Sequence, residues 1–537
     1  MLVTFLGAAA ANAACRRPAP PAVPGALVDR VHATGHLLRG PPLPRASEDT
    51  AVLDVLIIGG GAAGLSAGWR LRAAGVNDFL VLEVDDVIGG TSRSGQNEVS
   101  AFPWGAHYLP APLTMHGPVP KLLTEMGVLT SVDEQGAPQF AEQRLVHEPE
   151  ERIFYRGSWY EGLYLRAGAS PDDLAQLARF DAQMSVFAAA RDGKGRKAFA
   201  VPLELGSDDS EWTTLDALSM ADWLSSQHYT SPRLSWLVDY ACRDDYGASA
   251  ADTSAWAGIW YFAARQTGLE KNDGFLSWPE GNGRLIRHLG EAVEMKRQRR
   301  NVLAHTVSPI EGSTDWHVHA FDAVKKSPLR FRARQVVLAT PRFVAGHLVE
   351  PWRAEKPSWL KAFTYSPWVV ANATVSSPPR SRGFPLCWDN VLYDSKSLGY
   401  VVATHQRERA DEHGPTVLTW YYPLTGHDIV AERTRLLATT FEDWHALILA
   451  DLLPAHVGLD QQLERLEVMR WGHAMIRPTP GFVWGPERQA AQQSLGALHF
   501  AHSDLGGLAL FEEANFHGVR AAERALTGLQ RPSPSWL

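Results

Sequence analysis

The most restrictive feature of this sequence is a glycine-rich loop between a strand pattern and a helix pattern. Residues 52–58 form a mostly aliphatic run, which is typical of a parallel strand buried on both faces. The loop that follows, residues 59–64, reads GGGAAG, and residues 65–74 then show a helical pattern. Residues 78–82 form a second hydrophobic strand pattern. Together these segments predict one βαβ unit.

The spacing of the glycines predicts that this unit binds a dinucleotide. Gly59 permits the tight turn, Gly61 lets the backbone approach a pyrophosphate, and Gly64 lets the helix pack against the strand. The helix N-terminus then faces the phosphates. Glu83 ends the second strand pattern, where a carboxylate accepts the ribose hydroxyls. The predicted cofactor residues in this unit are Gly59, Gly61, Ala62, Ala63, Gly64, Glu83 and Val84.

A second glycine pair, Gly89 and Gly90, followed by Thr91, lies a few residues beyond Glu83 and favours FAD over a nicotinamide cofactor. The stretch from residue 54 to residue 91 resembles the FAD-dependent amine oxidase superfamily, which includes monoamine and polyamine oxidases, protoporphyrinogen oxidase and the carotene desaturases. The resemblance implies that FAD is the cofactor and that Gly90 and Thr91 contact it.

The resemblance recurs in four other stretches of the chain. They are residues 104–107 (WGAH), 278–285 (WPEGNGRL), 307–310 (VSPI) and 335–341 (QVVLATP). Residues 500–510 (FAHSDLGGLAL) resemble a segment of protoporphyrinogen oxidase. The further cofactor residues that the resemblance implies are Trp104, Gly105, Ala106, His107, Val307, Ser503, Leu508, Ala509 and Leu510.

A helix pattern over residues 512–526 follows this last motif directly. Backbone amides at the loop-to-helix turn can meet the pyrimidine edge of the flavin, where reduction places negative charge. The positive end of the helix dipole favours that charge.

These motifs imply an α/β fold with a discontinuous, Rossmann-like FAD-binding domain that contains a mixed sheet. We assign that domain to residues 51–110, 275–345 and 470–530. Residues 111–274 and 346–469 are expected to form an α+β substrate domain.

Composition narrows the function classes. The chain has 537 residues, a net charge of −8 and 45% hydrophobic residues, which indicates a globular protein and excludes the basic surface that nucleic-acid binding requires. Three scattered cysteines predict neither a disulfide framework nor a zinc site, so no metal is expected. No apolar run reaches the length of about 20 residues that a membrane span requires, so we expect no transmembrane span.

The N-terminal segment has its own composition. Residues 1–14 are apolar, end in small residues and precede Cys15, so residues 1–15 resemble a secretory or lipoprotein signal without its basic start. Cys15 would then carry a lipid anchor, and the protein would be periplasmic or membrane-anchored; otherwise it is cytoplasmic. Residues 16–50 are Pro-rich and predict an extended linker.

The candidate catalytic residues are polar groups expected near the flavin: His107, Asn372, His473, Asp244 and Asp245. Each also has a structural interpretation, as a packing histidine, a strand amide, or acids on a solvated helix face. Asp244 or Asp245 could bind a cationic group, or act as a base if buried.

Two markers of typical amine oxidases are absent. The resemblance places Ala371 and Asn372 where a lysine usually lies near the flavin, and Leu510 where monoamine oxidases carry a tyrosine. Their absence argues against a typical monoamine oxidase and favours a dehydrogenase that uses an acceptor other than dioxygen, or a desaturase that acts on an apolar substrate. We expect an FAD-dependent oxidoreductase that removes a hydride from a C–N or C–C bond of a small organic substrate. The alternatives are a polyamine-type oxidase, a flavin-dependent isomerase or mutase, and a non-catalytic FAD-binding protein.

Overall fold

The predicted βαβ unit lies at the centre of the first of two large sheets. The computed structural model describes residues 23–29, 32–111, 114–264, 274–407 and 413–537. Strand Ala51–Ile58 pairs in parallel with Phe79–Leu82 on one side and with Ser327–Leu338 on the other. Helix Ala62–Ala73 begins inside the glycine loop, three residues before its predicted start. The two strands lie within one residue of their predicted bounds.

The first sheet is mixed, as the sequence predicted. A parallel part continues into an antiparallel part over residues 302–338. Across the sheet the strands are Gln298–Arg299, Phe79–Leu82, Ala51–Ile58, Ser327–Leu338, Trp316–Asp322 and Val302–Pro309, and Leu498–Phe500 pairs with the end of Ser327–Leu338. Residues 55–58, 79–82 and 336–338, where the parallel strands meet at the centre of the sheet, are almost entirely buried and apolar.

The second sheet belongs to the predicted substrate domain and is largely antiparallel. Its strands are, in spatial order, Gly25–Leu27, Leu463–Ile476, Tyr365–Val375, Thr416–Pro423, Gly399–Val402, Asp389–Leu392, Glu151–Tyr155 and Ser158–Glu161. Three small two-stranded ribbons pair Ser94–Gln96 with Ala101–Pro103, Tyr108–Pro110 with Phe275–Ser277, and Leu129–Val132 with Pro138–Phe140.

Helices cover both sheets and form a separate cluster beside them. The helices against the first sheet include Ala62–Ala73, Pro118–Glu125, Gly283–Val293, Arg342–Leu348 and Phe511–Gly528. The helical cluster contains Pro171–Ala189, Met220–Ser226, Pro232–Tyr246 and Ala255–Ala263, and the second sheet carries Ile429–Ala438 and Phe441–Leu452. Short helices are His32–His36, Ser210–Thr213, Pro351–Ala354, Leu459–Gln462 and Pro486–Ala491. None of the helices in the described ranges is both long and apolar enough to cross a membrane.

The C-terminal helix Phe511–Gly528 packs so closely on helix Ala62–Ala73 that their backbones are in contact. A Cβ atom on Gly518 would lie 2.2 Å from the Ala63 carbonyl oxygen, so only glycine fits at this crossing. The residues after the helix also pack here, because Arg70 donates to the Pro534 carbonyl at 2.7 Å and the Trp536 ring lies 4.6 Å from that of Trp69.

The predicted linker is folded over the part that the structure describes. Residues 25–27 add a parallel edge strand to the second sheet. We call residues 32–50 the strap, because they cross the surface of the first domain and are held there by a hydrogen bond from Thr50 N to the Arg330 carbonyl and by the Arg45–Glu350 ion pair. The signal-like residues 1–15, including Cys15, lie outside the described residues.

Two predicted domain boundaries also differ from the structure. Strand Leu463–Ile476 belongs entirely to the second sheet, so the last segment of the first domain begins after Ile476 rather than at residue 470. Residues 118–129 pack into the core of the first domain through Val119, Leu122 and Leu123, so its first segment extends beyond residue 110. A continuous strand and an amphipathic helix carry no local sign of the domain to which they belong.

Candidate functional site

The main cavity lies between the two sheets and has a volume of about 430 Å³. The first domain lines it with the glycine loop, Glu83, residues 302–304 and the start of the C-terminal helix. Residues 105–108 and the second-sheet residues Trp368 and Val370 also line it. The cavity is therefore walled by both domains.

The glycine loop builds its part of the wall from backbone. Gly59 has φ +108°, and a Cβ atom there would lie 2.4 Å from the Ala339 carbonyl oxygen. At Gly61 the nearest atom to an added Cβ is 4.0 Å away, so the loop is open toward the cavity, which Ala62 and Ala63 also line. Gly64 does not line the cavity. An added Cβ there would lie 1.9 Å from the Gly59 carbonyl oxygen, so this glycine serves helix packing, as its position in the motif predicted.

Glu83 is held at the cavity wall by two backbone donors. Gly60 N donates to its Oε2 at 2.7 Å and Asp85 N donates to its Oε1 at 2.9 Å. Burial raises the pKa of Glu83, and the two backbone hydrogen bonds oppose that rise. Val84 lines the cavity beside it. A carboxylate in this position suits a ligand that brings hydroxyl donors.

The second glycine pair folds directly onto the first. Gly89 N donates to the Gly60 carbonyl at 2.8 Å, and Gly90 takes φ +56°. Gly90, Thr91, Gly105 and Ala106 all line the cavity. Trp104 does not: its ring packs in the core against Phe102, and its carbonyl accepts a hydrogen bond from Trp471 Nε1.

The predicted contact at Val307 is displaced in the structure. Val307 is fully buried in the sheet core, whereas Val302, Leu303 and Ala304, five to three residues earlier on the same strand, line the cavity. Val302 N donates to the Glu83 carbonyl at 2.8 Å, which brings this end of the strand to the site. The resemblance identified the strand but not which of its residues face the cavity.

The C-terminal motif turns into its helix at the cavity. Ser503, Ala509 and Leu510 line the wall, and the helix begins at Phe511 with Leu510 as its N-cap. Leu508, also predicted as a cofactor contact, instead packs into the helical cluster. Successive residues of an extended segment point in opposite directions, which places Leu508 away from the cavity while its neighbour Ala509 faces it.

His107 lies where the main cavity narrows into a second, smaller space. Its ring centroid lies 4.8 Å from that of Tyr421 and 5.4 Å from that of Trp388. Burial lowers the pKa of His107 to about 3, so the imidazole is neutral at physiological pH.

The smaller space, which we call the acidic recess, holds carboxylates from three separate elements. Asp244 on helix Pro232–Tyr246, Asp389 and Glu151 line it, and the aromatic residues around them are His107, Tyr108, Tyr240, Tyr261, Phe275, Trp388 and Tyr421. Its free volume is about 30 Å³, which is room for a group the size of one or two water molecules. His107, Tyr108, Asp244 and Tyr421 line both spaces, so the recess continues the main cavity.

The recess brings acidic side chains so close together that they oppose one another's ionisation. Burial raises the pKa of Asp389 well above its ordinary range, and the Asp244 carboxylate raises it further. Asp245 has a different environment: it is 3% exposed, lines the main cavity and accepts a hydrogen bond from the Tyr108 hydroxyl at 3.2 Å. Of the two adjacent acids predicted as candidates, Asp244 thus faces the recess, whereas Asp245 is hydrogen-bonded to Tyr108, a residue of the recess wall.

His473 lines the main cavity on the side of the strap. Its ring stacks on Phe343 with a centroid separation of 4.1 Å. Burial, and after it the charge of Arg433, lowers the pKa of His473 to about 3. It is placed to contact a ligand as a neutral ring.

Asn372, predicted as a catalytic candidate, has a structural position instead. Its Nδ2 donates to the Pro103 carbonyl at 3.1 Å, and its Oδ1 accepts from Thr419 Oγ1 at 2.7 Å. It is 1% exposed and does not line the cavity. The side chain joins strands of the second sheet to the first domain, and both of its amide atoms are used in doing so.

One cluster at the cavity wall was missed in the sequence. Asp504 accepts hydrogen bonds from the Tyr365 hydroxyl and from Arg342 N, and lies 2.9 Å from His502 Nδ1. Burial alone would raise the pKa of Asp504, but the charge of His502 and these hydrogen bonds outweigh it and lower the pKa. Tyr365 is far away in the chain, so only the position of Asp504 inside the C-terminal motif could have pointed to this cluster.

Comparisons with known proteins agree with this architecture. A family profile described as an NAD(P)-binding Rossmann-like domain matches residues 57–125. A probable flavin-containing monoamine oxidase A from Dictyostelium discoideum is 20% identical over 396 residues, which cover 68% of this chain and 77% of that protein.

Solved structures show the same fold over nearly the whole chain. A putrescine oxidase bound to putrescine is 17% identical with a TM-score of 0.65, covering 89% of this chain and 99% of that one. A putative protoporphyrinogen oxidase from Exiguobacterium is 14% identical with a TM-score of 0.59, covering 91% and 100%. The chain therefore has the fold of the FAD-dependent amine oxidase superfamily, with a Rossmann-like dinucleotide-binding domain, as the sequence motifs predicted.

Proposed function

We propose that this protein is an FAD-dependent oxidoreductase that removes a hydride from the C–N bond of a small cationic amine. The observation that carries the proposal is the acidic recess, which opens from the main cavity and offers carboxylates and aromatic faces together. The names of the similar proteins, a monoamine oxidase and a putrescine oxidase among them, support the same chemistry.

The residues of the main cavity fit FAD. The open backbone at Gly61 and the positive N-terminus of helix Ala62–Ala73 suit a pyrophosphate, and the Glu83 carboxylate suits ribose hydroxyls. Val302, Leu303 and Ala304 provide an apolar surface for adenine beside Glu83. The N-terminus of helix Phe511–Gly528 also lines the cavity, and its positive dipole end suits the flavin ring.

The recess fits an ammonium group. Asp244 supplies negative charge, and a bound ammonium would favour the ionised form of Asp389, whose pKa is raised without it. The faces of Tyr421 and Trp388 favour a cation through their ring quadrupoles. His107, being neutral, does not repel the cation, and it can hydrogen-bond to the substrate nitrogen. A tetrapyrrole or polyene has no cation to place in the recess, so this feature favours oxidation at a C–N bond over a C–C bond.

The chain's own residues would then orient the substrate. When bound, FAD supplies the group that accepts the hydride. The recess fixes the charged end, and the walls formed by Tyr108, Trp368 and Tyr421 exclude water from the carbon next to nitrogen. Transfer of a proton from the ammonium nitrogen to the Asp244 carboxylate, together with loss of a hydride from that carbon, would form the C=N bond of the iminium product.

The test is anaerobic mixing of the flavin-loaded enzyme with a panel of monoamines, diamines, polyamines, tetrapyrroles and polyenes, followed by flavin absorbance. We expect bleaching by at least one amine and none by the uncharged polyenes. Bleaching by tetrapyrroles or polyenes alone would contradict the proposal, and flavin that no compound bleaches would favour a mutase or a binding protein.

We also propose that residues 1–15 direct the protein out of the cytoplasm, with Cys15 as lipid anchor. The support is the apolar, small-residue composition of this segment. Cell fractionation of the full chain and of Cys15→Ala tests it. Wild-type protein found only in the cytosol would contradict the proposal.

A further inference from the structure

A second cavity, separate from the main one, lies under the strap. It has a volume of about 350 Å³ and is bounded by strap residues 37–45 on one side and by residues 305–306 and 346–356 on the other. Leu38 lines both this space and the main cavity, so one side chain divides them. We call this space the strap cleft.

The wall of the strap cleft is positively charged. Arg45, Arg353 and Lys356 line it together with His305 and His347, and no carboxylate does so within the described residues. Glu350 pairs with Arg45 at 2.8 Å from outside the wall, which leaves the charges of Arg353 and Lys356 without a carboxylate in the cleft. Three strongly basic side chains from two segments far apart in the chain thus converge on one space.

The histidine at the base of the cleft lacks a good partner. His305 is only 6% exposed; its Nδ1 lies 3.2 Å from Thr306 Oγ1, and its Nε2 makes no well-formed hydrogen bond in the described part of the chain, although the Pro44 carbonyl is near the ring. A buried ring nitrogen in this position would be satisfied by a ligand.

The histidines also report the electrostatic character of the space. Burial, and after it the charges of His319, Arg45 and Arg353, lowers the pKa of His305 to about 4. Burial, followed by Lys356, Arg39 and Arg353, lowers the pKa of His347. Apart from His319, all the charged groups that lower these two pKa values belong to the strap or to residues 346–356. An anion bound in the cleft would reduce the repulsion among these positive charges.

We propose that the strap cleft is a binding site for a phosphate group, carried by a small anionic molecule or a lipid headgroup. Arginine and lysine side chains and a buried imidazole can all donate hydrogen bonds to phosphate oxygens. The cleft has space for the phosphate and a few attached atoms. The proposal does not rest on the proposed function, because neither the flavin nor an amine takes part in binding here.

The experiment uses the full chain with FAD bound, so that the glycine loop is occupied and cannot bind the probe. Inorganic phosphate is titrated calorimetrically at fixed ionic strength into wild type, into the double variant Arg45→Gln/Lys356→Gln, and into Lys361→Gln, an exposed lysine of the next segment that does not line the cleft. We expect saturable one-site binding to wild type, the same affinity for Lys361→Gln, and at least tenfold weaker binding to the double variant.

His305→Gln provides a second variant that alters the base of the cleft without touching its surface charges. It should also weaken phosphate binding, since it removes the imidazole. Absence of saturable binding to the wild type, or equal affinity in all variants, would overturn the proposal.

Vesicles separate the two sources of the phosphate. If the protein sediments with phosphatidylglycerol vesicles and inorganic phosphate prevents this, the ligand is a lipid headgroup. Phosphate binding without such sedimentation would identify a soluble ligand. Because no substrate is used, failure of this proposal is distinct from failure to find an amine that reduces the flavin.

Discussion

The main cavity and the acidic recess adjoin each other but are built by different means. The wall at the glycine loop is backbone, placed by glycines within six consecutive residues and by the helix that follows. The recess is made of side chains from two helices, four strands of the second sheet and one of the small ribbons, which only the tertiary fold brings together. A backbone-built site therefore tolerates few substitutions at its glycines, whereas a side-chain-built site can change its ligand without changing the fold.

The sharpest test of this difference is a pair of glycine substitutions in the same loop. Gly64→Val should abolish the folded protein, because even a single Cβ atom would lie 1.9 Å from the Gly59 carbonyl oxygen. Overpacking of this kind costs about 3 kcal/mol or more when backbone must move. Yield of soluble protein and thermal unfolding measure the effect. Gly193→Ala, where a Cβ meets nothing within 4 Å, is the control. A stable Gly64→Val protein would refute the packing role.

Gly61→Val should instead leave the fold intact and remove the flavin. Its φ of −78° and ψ of −174° suit a valine, and the nearest atom to a Cβ is 4.0 Å away. The new methyl groups would fill the space where the pyrophosphate approaches. We expect flavin occupancy to fall at least tenfold while thermal unfolding of the apoprotein stays near that of wild type. Full occupancy in this variant would mean that the cofactor does not pass over the loop.

Substitutions in the acidic recess should change catalysis without changing the flavin content. Asp389→Asn should lower kcat/KM for a cationic amine on the order of 10- to 100-fold, the usual range for losing a charged hydrogen bond. Because the pKa of Asp389 is raised, its carboxylate forms only at higher pH, so kcat/KM of wild type should rise with pH and lose part of that rise in the variant. Asp394→Asn, an exposed acid just after the same strand, is the control. Unchanged kinetics would exclude the recess as the cation site.

Glu513, in the C-terminal helix, should make the stability of the protein depend on pH. Burial raises its pKa from 4.5 to about 8, so the folded state holds a proton that the unfolded state releases. The stabilising contribution is present below pH 4.5 and is lost as pH rises toward 8. The Glu513→Gln variant should not show this loss. Between pH 4.5 and 8 the free energy of unfolding of wild type should therefore fall relative to that of the variant by on the order of 1 kcal/mol per pH unit. Urea unfolding at pH 6.5 and 8 measures it; parallel curves for the two proteins would show that Glu513 is ionised in the fold.

The smallest effect on catalysis is expected at Asn372. Asn372→Ala removes hydrogen bonds to Pro103 and Thr419, at a cost of about 1–3 kcal/mol in stability. The rate of flavin reduction should change less than about twofold, since the side chain does not line the cavity. A large fall in that rate with unchanged unfolding would restore the catalytic role predicted from the sequence.

The success of the sequence predictions follows the same division. The βαβ unit, the mixed sheet and most of the residues at the glycine loop could be predicted because steric demands on consecutive residues produce glycines at fixed spacing. Asp389, Glu151 and Tyr365 could not be found, since each is an ordinary residue in its own strand and gains its role only from neighbours far away in the chain. Asn372 and Val307 were misassigned for a related reason: a strand position inferred by resemblance does not determine what its side chain contacts.

The interlocking of the first and last parts of the chain has a consequence for biosynthesis. Strand Ala51–Ile58 is made early, but the helix that follows it packs against residues 511–528, and Arg70 donates a hydrogen bond to the Pro534 carbonyl 464 residues later. The cavity wall is thus incomplete until residues 511–514 have been made and have folded back onto this helix. A dinucleotide would find its full site only after that step, and loss of residues 534–537 would expose Trp69 and weaken the contact.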